Sequence, residues 1–275
     1  MAMKDRQVPV LDEATGCSAP RALLRSCLTY APAAFLAGAI RNPELGLAEL
    51  LLLLRNCKAP AAVLTEIGRD RRWSRLTRVQ HLLALHPETP LALGLSLLRQ
   101  LWWKELVEVS LAPQVKPLLR RLAEKKLMAR VERMTLGQRI ALARRAARGM
   151  IANLAESDDA RVLAALLGNP YLVEADAVRI ASGTTAPPEL LERLAGHHQW
   201  GGRHSVRLAL ALNTRTPVAT ALGIVRQLSR PDLRRLCRDP DVPRIVCIGA
   251  ERRLDRGPAS AAQAVSTEQD FALRV

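Results

Sequence analysis

Apolar positions along the chain recur at three and four residues, with stops every twenty-five to thirty. The stretches "PLALGLSLLRQL" (90–101), "PPELLERLAG" (187–196), "PVATALGIVRQL" (217–228) and "PRIVCIGAERRL" (243–254) each open on proline and continue with helical spacing. Proline is tolerated in a first helical turn, where its missing N–H has no intrahelical partner to lose. Thr89 and Thr216 stand directly before two of these prolines and are expected to cap the turn that follows. Upstream, "VQHLLALH" ends near His86 and "VRLALALN" ends at Asn213, a residue type suited to a left-handed helix stop. The unit is helix, short turn, helix. About thirteen helices are predicted between roughly residues 19 and 255.

The chain repeats itself. Shifted by 127 positions, residues 42–127 align with 169–254 without a gap, and about 25 of some 86 pairs are identical. Asn42-Pro43 meets Asn169-Pro170, Ala59-Pro60 meets Ala186-Pro187, Trp73 meets Trp200, Thr89-Pro90 meets Thr216-Pro217, and "RQL" at 99–101 meets "RQL" at 226–228. Just before the aligned blocks, "AFLAGAIRNP" (34–43) parallels "RVLAALLGNP" (161–170). An internal duplication is the reading, and it implies stacking, because one helix pair cannot bury its own apolar stripe.

The expected fold is all-α: a right-handed α-solenoid of stacked helix pairs, internally duplicated at the offset just described. The expected organisation is a loose segment over 1–18, a first repeat half over 19–127, basic junction helices over 128–160, a second half over 161–256, and a loose tail over 257–275. The X-Pro-led helix pairs, the Asn-Pro and Ala-Pro steps, the repeated tryptophan and "VRLALALNTRTP" resemble bacterial α-solenoids of the HEAT-like and leucine-rich-repeat-variant kind, over most of 42–254. The resemblance implies architecture and brings no catalytic residues. Some leucine-rich-repeat-variant proteins carry an amino-terminal iron–sulfur cluster, but Cys17, Cys27 and Cys57 are too scattered for its pattern.

Charge changes the picture next. Forty-one Lys and Arg against 26 Asp and Glu give +15, which suits an anionic partner, although an Arg-rich, Lys-poor composition also follows from a GC-rich genome. The charge is concentrated in "KPLLRRLAEKKLMARVERMTLGQRIALARRAARG" (116–149), with roughly eleven basic residues and only Glu124 and Glu132 opposing them. Candidate anion-facing residues there are Lys116, Arg120, Arg121, Lys125, Lys126, Arg130, Arg133, Arg144, Arg145 and Arg148. Arg226, Arg230, Arg234, Arg235 and Arg238 stripe a later helix at spacings of three to four. Such stripes track phosphates if they share a face, and otherwise keep a leucine-rich protein in solution.

Trp102 and Trp103 are not repeated in the second block, and adjacent residues cannot share one helix face, so one of them is a candidate partner contact. Trp73 and Trp200 read as packing between repeats. A base-excision pocket like that of HEAT-like DNA glycosylases would need a carboxylate beside them, and Asp70 has its counterpart in His197. "GHHQWGGRH" (196–204) gathers histidines without a completing carboxylate or thiolate, so no metal is expected. Asp158 and Asp159 read as acids at a helix start. Five cysteines with no C-x-x-C spacing read as reduced thiols. The start "MAMKDRQVPVLDEATG" has no secretory apolar core, and "LAELLLLLR" (47–55) is too short to span a bilayer. The expectation is a cytoplasmic, non-enzymatic scaffold binding another protein through an extended groove, with no cofactor, small-molecule substrate or membrane insertion. A nucleic-acid-binding protein tied to DNA repair is the alternative.

Overall fold

The computed structural model describes residues 10–255. Every regular element among them is helical; there are 18 helices and no strand. The chain divides into two compact units, the first ending at Arg133 and the second beginning at Met134, within the segment expected to join two halves.

The first unit holds α1 (Glu13–Ser18), α2 (Arg21–Cys27), α3 (Ala33–Ala39), α4 (Leu47–Leu53), α5 (Ala61–Arg69), α6 (Thr77–Leu85), α7 (Leu91–Gln100), α8 (Trp103–Leu111) and α9 (Pro117–Val131). Helices of six to fifteen residues are marginal in isolation, so tertiary contact must hold them. That contact runs between helices two apart as well as between neighbours: α1 with α3, α2 with α4, α6 with α8, α7 with α9. Leu24, Phe35, Leu36, Leu50, Leu64, Leu83 and Leu106 are fully buried between them.

In the second unit stand α10 (Leu136–Arg145), α11 (Arg148–Leu154), α12 (Ala160–Leu167), α13 (Glu174–Ala181), α14 (Pro188–Ala195), α15 (His204–Leu212), α16 (Val218–Val225), α17 (Arg230–Arg238) and α18 (Arg244–Asp255). Contacts again link alternate helices, α10–α12–α14, α13–α15–α17 and α16–α18.

Helix ends are closed by side chains rather than by left-handed residues. The Asn56 amide donates to Leu28 O (3.0 Å) and Ala31 O (2.9 Å), beyond the end of α2, while its own oxygen accepts the Lys58 N–H. Asn42 does the same for Gly16 O and Ala19 O at the end of α1. In the second unit Asn169 donates to Ala143 O and Ala146 O, and Asn213 to Ala181 O and Gly183 O. His86 takes this place after α6, its Nε2 lying 2.9 Å from Asn56 O. The asparagine amides thus bond carbonyls at or just beyond a helix end, and each of these side chains, His86 included, ties its own helix to the one two before it.

Three sequence expectations are corrected here. Asn213 is extended, at φ −77° and ψ 118°, and no non-glycine residue among those described has positive φ. Thr89 and Thr216 do not cap the following helix: their hydroxyls donate back to Leu83 O (2.5 Å) and Leu210 O (2.6 Å), while Pro90 and Pro217 take the N-cap position. From residue 19 onward the described residues form 17 helices rather than about thirteen, since two-turn helices joined by short turns merge in a periodicity count.

Residues 13–18, expected to be loose, form α1. Asp12 caps it through the Thr15 N–H at 2.8 Å. Gly16 and Gly38 let α1 and α3 touch along their backbones, since a Cβ on Gly38 would stand 2.0 Å from Glu13 O. The expected tail at 257–275 lies outside the described residues.

Two buried carboxylates start helices. Glu49 receives Arg25 Nε at 2.7 Å and the Gly46 N–H at 3.1 Å. Burial pushes its pKa up, but the Arg25 hydrogen bond and the charges of Arg21 and Arg25 outweigh it, and the net shift is downward. Asp176 likewise binds Arg148 (2.6 Å) and the Val173 N–H (3.1 Å).

Asn56→Ala leaves two buried carbonyls open and should cost about 2–4 kcal/mol, read from urea denaturation of the full chain. Because the folded pKa of Glu49 lies below its unfolded value, its stabilisation is present above the usual glutamate range and disappears as pH falls through the folded value. Glu49→Gln should therefore lower Tm most near about pH 7 and approach wild type near about pH 3, in a pH series of thermal melts.

Candidate functional site

The long helix α9 begins with Pro117 at its first position and turns Leu119, Ala123 and Leu127 inward at spacings of four. That choice of inner face fixes where its bases go. Lys116, Arg121, Lys125 and Arg133 are exposed, whereas Arg120, Lys126 and Arg130 are half-buried along the flanks. Two of the seven serve the fold. Lys116 Nζ donates to Thr89 O at 2.8 Å, and Arg130 Nη1 to Leu101 O at 2.9 Å, closing carbonyls after α6 and α7. Lys126 is held below the usual lysine pKa by burial first and then by the charges of Arg130 and Arg99. Arg99, from the last turn of α7, joins this cluster although it lies outside the basic run in the sequence. Burial pushes the Glu124 carboxyl upward against the opposing pull of Arg120 and Arg121.

The remaining bases of the run belong to the second unit. Arg144 and Arg145 are exposed in the last turn of α10, where positive charge complements the helix dipole. Arg148 is committed to the buried Asp176. On α17, Leu233 and Leu236 point inward and leave Arg230, Arg234, Arg235 and Arg238 exposed, with Arg226 exposed at the C-cap of α16. Arg230 also donates to Leu254 O at 3.0 Å.

The tryptophans separate by environment. Trp200 is buried, and its indole N–H donates to Leu167 O at 3.1 Å. Trp73 is half-buried beneath Arg72, whose guanidinium lies 5.3 Å from the ring centroid. It lines a cleft of about 160 Å³ with Arg41, Glu66 and Asp70. A carboxylate does stand beside a tryptophan here, but Arg72 holds it at 2.7 and 2.9 Å and keeps its pKa below the usual carboxylate range. Trp102 is 68% exposed at the N-cap of α8, and Trp103 is half-buried with Lys104 Nζ 5.8 Å from its ring centroid.

In the histidine loop, His197 and His198 stack at 4.6 Å and His197 Nδ1 accepts the Gln199 N–H. Among the described residues no group of three or more His, Cys, Asp or Glu is placed to hold a metal ion. Asp159 caps α12 through the Arg161 N–H at 2.9 Å. The five cysteines are free thiols.

One surface feature escapes the sequence reading altogether. On the first unit Leu91 (39%), Leu95 (39%) and Leu118 (49%) are exposed on α7 and α9, two helices in contact. On the second, Val218 (39%), Ile245 (54%) and Ile248 (38%) are exposed on α16 and α18, which also touch. Leu119 of α9 packs against Gly94 of α7, and Leu222 of α16 against Gly249 of α18, so in each pair the two helices are drawn together at a glycine. Periodicity counts every one of these residues as core; only packing shows which are left over.

No family model, no curated protein and no solved structure matches the chain. Among the described residues no helix is long and apolar enough to cross a membrane.

Proposed function

We propose that this chain is a cytoplasmic helical-repeat scaffold, a right-handed α-solenoid built by internal duplication, that binds another protein without catalysing a reaction. The recurrence of helices supports the architectural part. Thr77–Leu85 recurs as His204–Leu212, Trp103–Leu111 as Arg230–Arg238, and Arg21–Cys27 as Arg148–Leu154, each pair at the single offset found in the sequence. The asparagine bonds of Asn42 and Asn169 recur on carbonyls at the same offset. The resemblance to HEAT-like and leucine-rich-repeat-variant proteins belongs to this reading.

One observation carries the functional part. The exposed apolar rows occur in both units, with Leu91 and Val218, and Leu118 and Ile245, 127 positions apart. An isolated exposed leucine is ordinary, but several exposed apolar side chains on two contacting helices are what a protein partner buries. Trp102 adds an aromatic anchor on the first unit. At the Trp73 cleft the Asp70 carboxylate is engaged by Arg72, and Glu66 lies 3.8 Å from Arg41.

The nucleic-acid reading rests on a different observation: among the described residues Arg121, Lys125, Arg234 and Arg235 are exposed and form no ion pair. Affinity capture from the source cell decides between the two. Leu118→Asp combined with Ile245→Asp should retain the wild-type Tm and lose partner proteins that wild type retains. A chain with Arg121, Lys125, Arg234 and Arg235 changed to Glu should still capture them. Fluorescence anisotropy with labelled duplex DNA and RNA provides the counter-test. Binding at about 0.15 M salt that the charge reversal abolishes would replace the scaffold reading with the nucleic-acid one.

A further inference from the structure

In the second unit α10, α12 and α14 pack side by side and line an open cavity of about 460 Å³. Its lining combines Ile140, Ala164, Ala165 and Gly168 with one arginine from each helix: Arg144, Arg161 and Arg193. All three are exposed, and no acidic residue lines the cavity. Asp159 stands behind Arg161, accepting its Nε and Nη2 at 3.2 Å, so that side chain is held in place and its charge partly offset. Among the described residues Arg144 and Arg193 form no ion pair, which leaves two uncompensated guanidiniums on one cavity.

The fold does not require this arrangement. At the duplication offset the first unit carries Cys17, Ala34 and Glu66 instead, and its helices pack without any such arginine. Like charges brought to one cavity repel, and a multivalent oxyanion is the ligand that reverses the sign of that interaction. Guanidinium presents a planar fork of donors matched to carboxylate or phosphate oxygens. The volume falls in the range of small-molecule sites, and the apolar lining residues accommodate a compact carbon skeleton.

We propose that the α10–α12–α14 cavity binds a small polyanion, a phosphate ester or a polycarboxylate, through Arg144, Arg161 and Arg193. The site is independent of the apolar rows, which lie on other helices. Isothermal titration of the full chain with inorganic pyrophosphate, and separately with citrate, tests it at about 0.15 M salt. At least one of the two should bind with a dissociation constant below about 1 mM. Binding of pyrophosphate alone identifies the phosphate class, and of citrate alone the carboxylate class. Arg144→Gln with Arg193→Gln should weaken that binding at least about tenfold with an unchanged circular dichroism spectrum, since both side chains are exposed. Arg234→Gln with Arg235→Gln removes the same net charge from α17 and should change the constant by less than about twofold. Three results overturn the proposal. One is no binding of either anion up to about 10 mM. Another is an equal loss in both variants. The third is a DNA duplex that depends on Arg144 and Arg193 when neither small anion binds.

Discussion

A helix of seven residues has nearly as many open carbonyls at its end as bonds along its length, and most helices here are little longer. The side-chain amides of Asn42, Asn56, Asn169 and Asn213 occupy those carbonyls from two helices further on. Everything else is arranged around this constraint. Once the amide is seated, the spacing of alternate helices is fixed, and the leucines between them have one way to interdigitate. A leucine-rich chain with few aromatics could otherwise pack in many near-equivalent ways. Buried polar groups with strict directional needs select among them.

The same economy divides the arginines. A net charge of +15 looks like one property, but the structure assigns it several tasks. Arg25 and Arg148 neutralise buried carboxylates at helix starts, and Arg130 and Lys116 close carbonyls. Arg72 clamps Asp70 against Trp73. What is left is a smaller set of exposed, unpaired side chains. They stand on α9, α10, α14 and α17, which the total charge alone does not reveal.

The all-helical class was legible because leucine and alanine recur at helical spacing and proline marks each restart. Helix ends were less so. Thr89 and Asn213 were recognisable as punctuation, but their bonds run backward to Leu83 O and Ala181 O, and a local pattern cannot tell which neighbour a hydroxyl or amide will reach. The basic stripe on α9 was readable as a stripe, yet the roles of Lys116 and Arg130 depend on carbonyls 27 and 29 residues away. Arg193 and Arg161 carried no sequence signal, since they meet Arg144 only through the packing of three helices. The apolar rows were hidden for the opposite reason: Leu118 and Leu119 are the same residue type, and only Leu119 finds a glycine to pack against.

The asparagine bonds reach back between 23 and 32 residues and no further. Each cross-tie can therefore form as soon as some thirty residues of chain have emerged from the ribosome, with no need for the rest. Low contact order of this kind favours rapid folding, and it lets the first unit assemble during synthesis while the second is still being made. A leucine-rich chain of many short helices risks pairing helices that lie far apart in the sequence. Closing each tie before a distant competitor exists removes that competitor in time rather than in energy.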